Sequence, residues 1–206
     1  MPHGRLITIE GIDGAGKTTV AQALADELQG RGIDLRLLRE PGGVAAAERI
    51  RDLVKDPALR VGARAEALLY AAARAQLVEE ALEPLLSQGT WVILDRFVDS
   101  SLAYQGGGRG LGIAAVRAIN EFGTHGLLPD RTLLLEVDLG VGRARSRERE
   151  ERLDRLEREQ DEFFRAITEA YLELWREDPQ RVRRIDASQP LEQVVAASLE
   201  QLSDLL

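Results

Sequence analysis

The chain has no cysteine among its 206 residues, so disulfides, thiolate metal sites and thiol nucleophiles are all excluded. No apolar run approaches the roughly 20 residues needed to span a bilayer. A strand candidate already opens at Leu6, which leaves no room for a signal peptide, and a cytoplasmic location is expected. Positive charge is also short. Lys and Arg total 27 against 35 Asp and Glu, a net charge of −8, which lacks the dominant basic face of a nucleic-acid surface. Any phosphate must then be held by a local cluster of Arg and Lys inside an acidic protein. The two histidines, His3 and His125, have no ligand-type residues clustered about them and read as structural. No internal repeat, low-complexity tract or linker divides the sequence. With 44% hydrophobic and 30% charged residues, it reads as a single globular domain over 1–206, long enough to bury a substantial core.

What the sequence does contain is concentrated early. Gly11-Ile12-Asp13-Gly14-Ala15-Gly16-Lys17-Thr18 fits G-x-x-x-x-G-K-[ST] at every fixed position. Before it, Leu6-Ile7-Thr8-Ile9 ends at Glu10 as a short buried strand; after it, Val20, Leu24 and Leu28, with Ala21 and Ala25, recur at helical spacing. Strand, glycine-rich loop and helix are the context in which the motif works. Backbone N–H groups point inward, Lys17 reaches the β/γ-phosphates, and the Thr18 hydroxyl can ligate Mg²⁺. The helix N-terminus at Thr18 and Thr19 adds partial positive charge beneath the phosphates. The stretch Gly11–Thr19 is therefore expected to bind a nucleoside triphosphate, ATP with Mg²⁺.

Four more strand candidates follow: 34–39, 91–94, 132–137 and 181–185. Helical patterns fill the intervals, with Gly30 and Gly32 closing the first helix, so an α/β fold with a largely parallel sheet is predicted. Ligands of such sheets collect beyond the carboxyl ends of the strands. The residues with chemistry stand there: Asp13 and Lys17 after the first strand, Glu40 after the second, Asp95 and Arg96 after the third. Gly106-Gly107-Gly108 reads as a flexible loop.

Residues 143–162 differ in kind. Seven arginines (143, 145, 147, 149, 152, 155 and 158) alternate with eight acidic residues. Glu148–Arg152, Glu151–Arg155 and Asp154–Arg158 stand at i,i+4 with the acid first, the favourable orientation on a solvated helix. The same stretch can also act as a flap that brings an arginine onto a transferring phosphate, and both readings can hold for different side chains.

The loop motif alone does not choose a function. There is no Asn-Lys-x-Asp for reading guanine and no transporter-type signature before Asp95. Asp95 ends an apolar strand, where an acidic residue positions Mg²⁺ beside Thr18. Arg96 follows at once, and a cation there suits an acceptor that is itself a phosphate.

At this point the sequence resembles the thymidylate kinases of the bacterial type. Four segments carry the resemblance: 10–19, Arg39-Glu-Pro-Gly-Gly43, Asp95-Arg-Phe-x-x-Ser-Ser-x-Ala-Tyr-Gln-Gly-Gly-Gly-Arg109, and Arg152-Leu-Asp-Arg-Leu-Glu157. The resemblance implies a nucleoside monophosphate kinase-like P-loop NTPase fold with a five-stranded parallel sheet, the reaction ATP + dTMP → ADP + dTDP with Mg²⁺, and a homodimer. Arg96 would then bind the dTMP phosphate and Asp13 would face the sugar 3′-hydroxyl, with Glu40 at the same pocket. Arg74 would hydrogen-bond thymine, Ser100 and Ser101 would line the base end, and Tyr104 and Gln105 would wall off a ribose 2′-hydroxyl. Tyr70 falls where the family usually stacks a Phe on the base, and its hydroxyl needs a partner or water.

A dTMP phosphate already carries a charged oxygen nucleophile, so positioning and charge neutralisation are expected to dominate over base catalysis. Lys17, Arg96 and Asp95 are the expected catalytic set. Some relatives place an arginine in the phosphate loop; here none stands between Asp13 and Gly16. The missing cation is expected from a mobile lid at about 143–157, with Arg149 and Arg152 leading and Arg147 next. Two other readings remain open: a kinase for another nucleoside monophosphate or deoxynucleoside, and a nucleotide-dependent regulatory module. Arg96 and the segment 100–109 argue against the module.

Overall fold

The computed structural model describes residues 4–149, 155–156 and 159–206, with only the backbone described for 146–149. Its centre is a sheet of β1 (Leu6–Glu10), β2 (Leu35–Arg39), β3 (Trp91–Asp95), β4 (Arg131–Glu136) and β5 (Val182–Asp186). Spatial order is β2-β3-β1-β4-β5, and every pair is parallel. All five expected strands form, each with ends within one residue of the sequence reading. β1 is buried along its whole length, as a central parallel strand covered on both faces must be. β2, at an edge, buries mainly Leu35.

Helices cover both faces: α1 (Lys17–Gly30), α2 (Ala45–Lys55), α3 (Ala63–Leu77), α4 (Glu83–Ser87), α5 (Val98–Ser101), α6 (Ile113–Thr124), α7 (Leu139–Arg149), α8 (Asp161–Glu177) and α9 (Leu191–Glu200). The i, i+4 stripe of α1, Val20, Leu24 and Leu28, lies in the core as its spacing requires. One hydrophobic cluster runs from Leu6 to Leu202.

Two expectations need correction. Gly106–Gly108 is not a loose loop. It ends a π-helical segment, Leu102–Gly108, that continues α5 and packs along α8. A Cβ on Gly107 would lie 2.6 Å from the Ala170 methyl and 3.0 Å from the Ala166 carbonyl oxygen. The glycine is there for close approach of two backbones, a cause that a run of glycines does not distinguish from a turn. The charged stretch is likewise not one continuous helix: residues 155–156 form a turn and α8 begins at Asp161. In that turn Leu156 is buried and Arg155 turns inward.

Candidate active site

The carboxyl ends of β1, β2 and β3 open into a cavity of about 420 Å³. Lys17, Thr18, Glu40, Tyr70, Arg74, Asp95, Arg96, Ser100, Ser101, Tyr104 and Gln105 line it together with Asp13, Gly14 and Gly16. Residues far apart in the sequence are thus gathered beyond three strand ends, where the rule for open parallel sheets places ligands.

At the phosphate end, Gly16 turns left-handed (φ 89°) as the N-cap of α1. Gly14 (φ 79°) must be glycine, because a Cβ would sit 1.9 Å from the carbonyl oxygen of Gly142. Ile12 and Ala15 bury their side chains and offer only backbone, while Thr19 is exposed on the first turn of α1. Lys17 donates to the Ile12 carbonyl at 2.8 Å. Burial, and then the charge of Arg96, lower its ammonium to a pKa of about 8. Thr18 Oγ1 donates to Asp95 Oδ2 at 2.6 Å, whereas the buried Asp95 Oδ1 has no hydrogen-bond partner. A hydroxyl oxygen beside an orphaned carboxylate oxygen is a donor set that fits Mg²⁺, which takes few protein oxygens and completes its shell with water and phosphate. No cluster of three or more His, Cys, Asp or Glu with metal-site geometry occurs among the described residues.

Beside the phosphate end stands a second charged group. Arg96 holds a left-handed backbone (φ 70°), unusual for a side chain of its size. Its Nη2 donates to Asp13 Oδ1 at 2.6 Å and Tyr104 Oη at 3.1 Å, and its Nη1 to Ser100 Oγ at 3.0 Å and the Gly11 carbonyl at 3.1 Å. The guanidinium also lies 4.9 Å from the centre of the Tyr104 ring. Tyr104 returns a hydrogen bond to Asp13 Oδ2 at 2.9 Å. Burial alone would raise the Asp13 carboxyl; Arg96, Lys17 and the Tyr104 hydroxyl overcome it and hold the group at about 2. Behind Arg96, the fully buried Glu10 accepts from the Phe97 amide at 2.7 Å, from Ser100 Oγ and from Tyr171 Oη at 2.9 Å. Burial and the nearby Asp99 push the Glu10 carboxyl upward. Ser100, which lines the cavity, thus also braces Arg96 against Glu10.

At the far end, Arg74 is 2% exposed. Its Nε donates to Glu40 Oε2 at 2.8 Å, and its Nη2 meets the same oxygen at 2.6 Å and the Phe97 carbonyl at 2.8 Å. Its Nη1 donates to Ser101 Oγ at 2.9 Å and to Asn120 Oδ1. Four hydrogen bonds and the Nη2–Glu40 ion pair occupy this guanidinium, so a base carbonyl approaching Arg74 must compete with partners already in place. Burial raises Glu40 to about 7 against the pull of Arg74. Tyr70 stands one turn before Arg74 on α3, and Gln105 Nε2 reaches Glu66 at 2.8 Å.

Residues 9–197 match the family model described as Thymidylate kinase. A thymidylate kinase of Lacticaseibacillus casei is 48% identical over 204 residues, 97% of this chain and 95% of that one. A thymidylate kinase of Alkalilimnicola ehrlichii is 45% identical over 206 residues, covering 98% and 94%. The crystal structure of thymidylate kinase from Ehrlichia chaffeensis superposes with a TM-score of 0.82 at 29% identity, covering 98% of this chain and all of that one. The chain belongs to the thymidylate kinase family. The five-stranded parallel sheet flanked by helices is accordingly the P-loop kinase fold expected from the sequence.

Several contacts around the cavity carried no sequence signal. Glu10 and Tyr171 are 161 positions apart, and only the fold makes them neighbours. Asn120 sits in the middle of α6 and Glu66 in the first turn of α3, and they reach the site edge through Arg74 and Gln105. Arg51 and Lys55, at i,i+4 on α2, line the cavity with Arg39 and Pro41, and Arg51 donates to the Pro41 carbonyl at 2.8 Å. Lys55 and Lys17 are the only lysines in the sequence, and both face this cavity, a composition cue open to sequence reading. Arg152 lies outside the described residues, as do the side chains of Arg147 and Arg149. Among the arginines of that stretch, Arg143 is committed to Asp161 and to the Phe164 ring, 5.0 Å away. His125 pairs with Glu83 on the surface, and His3 lies outside the described residues.

Proposed function

We propose that this cavity is a two-nucleotide site in which the phosphates of ATP rest on the loop 11–18 and dTMP lies across from them, its phosphate at Arg96. The reaction is ATP + dTMP → ADP + dTDP. A dTMP phosphate oxygen forms a bond to the γ-phosphorus while the bond from that phosphorus to the β,γ-bridging oxygen breaks, and ADP leaves. The observation that carries the reading is the adjacency, in one cavity, of the Lys17–Thr18–Asp95 phosphate end and the Arg96 guanidinium.

The acceptor oxygen is already anionic at neutral pH, so no proton needs to be removed for attack. Asp13, held ionised by Arg96 and Lys17, serves to aim the guanidinium rather than to act as a base. Burial keeps the Tyr104 phenol protonated, and with Asp13 it forms a rigid wall where a ribose 2′-hydroxyl would project. Thr18 and Asp95 would hold Mg²⁺, which supplies neutralisation of charge on the β- and γ-phosphate oxygens when bound. Tyr70 offers an aromatic face to the base, and Glu40, Ser101 and Asn120 fix the Arg74 fork beside it.

The phosphate loop contains no arginine, and we assign the remaining cation to the lid at about 143–157, with Arg149 and Arg152 as candidates. We also place the enzyme in the cytoplasm, where ATP and dTMP are available, and propose a homodimer. Exposed Leu68 on α3 and Phe122 on α6, two helices that pack on each other, support a face for a second copy. Titration calorimetry separates the two subsites. Lys17→Ala should lose ATP binding and keep dTMP binding, and Arg96→Ala should do the reverse; the two variants losing both nucleotides alike would contradict the assignment.

A further inference from the structure

Arg155-Leu156, within the fourth family-like segment, is not explained by the chemistry above. Its arginine is not held out to solvent or to the phosphate end. Arg155 Nη2 lies 2.6 Å from Glu66 Oε2, an ion pair rather than an aligned hydrogen bond, and its Nε donates to the Val54 carbonyl at 3.1 Å. One side chain thus ties the last turn of α2 to the first turn of α3. Glu66 is fully buried, and its Oε1 accepts from Gln105 Nε2 at 2.8 Å and Arg109 Nε at 3.2 Å. Arg109 in turn pairs with Glu159. Two arginines and two carboxylates balance, which is what lets a charge sit in so dry a place.

Next to Arg155, Leu156 is 8% exposed, joins the hydrophobic core and lines the nucleotide cavity. Glu66 stands one turn before Tyr70 on α3, and its partner Gln105 follows Tyr104 in the wall of the same cavity. The latch therefore connects three pieces of the acceptor pocket: the α3 face, the π-helical wall and the Leu156 side chain.

We propose that Arg155 is a positioning residue of the acceptor subsite, anchored on buried Glu66 so that Leu156 closes the dTMP pocket. The proposal rests on the reading that this cavity holds dTMP. It commits Arg155 to the acceptor side and removes it from the set of cations available to the transferring phosphoryl group. Loss of the anchor weakens dTMP binding and leaves ATP binding and the chemical step nearly intact, a split that a simple loss of stability does not produce.

Steady-state kinetics with each substrate varied tests this on Arg155→Met, Arg155→Lys, Leu156→Ala and, as a control for the site reading, Tyr70→Ala. Arg155→Met leaves Glu66 paired with Arg109, so it should fold; its melting curve checks that. Arg155→Met and Leu156→Ala should each raise KM for dTMP by about tenfold, with KM for ATP within about twofold and kcat within about threefold. Arg155→Lys keeps the charge and should recover part of the loss. Combining Leu156→Ala with Arg155→Met should add little, since both act through one element. Arg155→Met with KM for dTMP within about twofold of wild type, or with KM for ATP rising in step, overturns the proposal. If Tyr70→Ala still raises KM for dTMP in that case, the site reading survives; if Tyr70→Ala is silent too, it falls with the proposal.

Discussion

Replacing Arg96 by alanine and, separately, by glycine separates what the side chain does from what its backbone costs. In the native structure the Arg96 guanidinium meets Asp13 at 2.6 Å, with the two side chains 16% and 23% exposed. Asp13 sits at about 2 instead of 3.8, and Arg96 is the strongest of the groups that lower it. That difference corresponds to about 2 kcal/mol of stability. The carboxyl is depressed on folding, so this contribution is present above pH 3.8 and is lost as pH falls through about 2. Arg96→Ala should therefore lose about 2 kcal/mol at pH 7, a fall of roughly 4–8 °C in Tm for a domain of this size. Arg96→Gly should lose about 1 kcal/mol less, because glycine adopts φ 70° without the penalty that a Cβ carries. Catalysis should not follow stability. Both variants remove the same preorganised cation, and kcat/KM for dTMP should fall by about 10²–10³ in each. The assay is steady-state ADP formation at saturating ATP, beside urea or thermal unfolding at pH 7. If glycine restored activity, or if both variants kept kcat/KM for dTMP within about threefold, the assignment of Arg96 to the acceptor phosphate would be wrong.

Three further outcomes follow from the geometry. Asp95→Asn weakens the oxygen pair formed with Thr18, so the Mg²⁺ concentration for half-maximal rate should rise by about tenfold, and an unchanged Mg²⁺ titration would remove Asp95 from the metal site. Tyr104→Ala opens the wall beside the sugar and should raise the ribo-TMP to dTMP activity ratio even as total activity falls; a constant ratio would place discrimination elsewhere. Lys17 loses its proton through about pH 8 in the free enzyme, so KM for ATP should climb between pH 8 and pH 9.5, while a flat profile would mean that the ammonium is not the phosphate contact.

Much of this site was legible in the sequence because its parts are local. The loop 11–18 declares itself in eight consecutive residues, and the strand before it, Leu6–Glu10, is apolar because both its faces are covered. Asp95 and Arg96 were readable because a strand end fixes where they stand. What stayed hidden depends on long-range packing. The setting of Arg74 needs Glu40, Phe97, Ser101 and Asn120 at once, and no spacing along the chain relates them. The three glycines 106–108 look like a turn, yet Gly107 and Gly108 serve the contact with α8 and Gly106 the contact with Ile113 of α6. Arg155 stands in a run of alternating charge at the spacing of a solvated helix, and only the fold shows Glu66 waiting, buried, 89 positions earlier.

The most direct test of the account is ADP formation with ATP and Mg²⁺ across a set of acceptors: dTMP, dUMP, CMP, AMP and GMP. A cavity with Arg96 at one end, the Tyr104 wall at the sugar and Tyr70 beside the fixed Arg74 fork at the base predicts the highest kcat/KM for dTMP. Turnover of CMP or GMP at least as efficient as that of dTMP would contradict it.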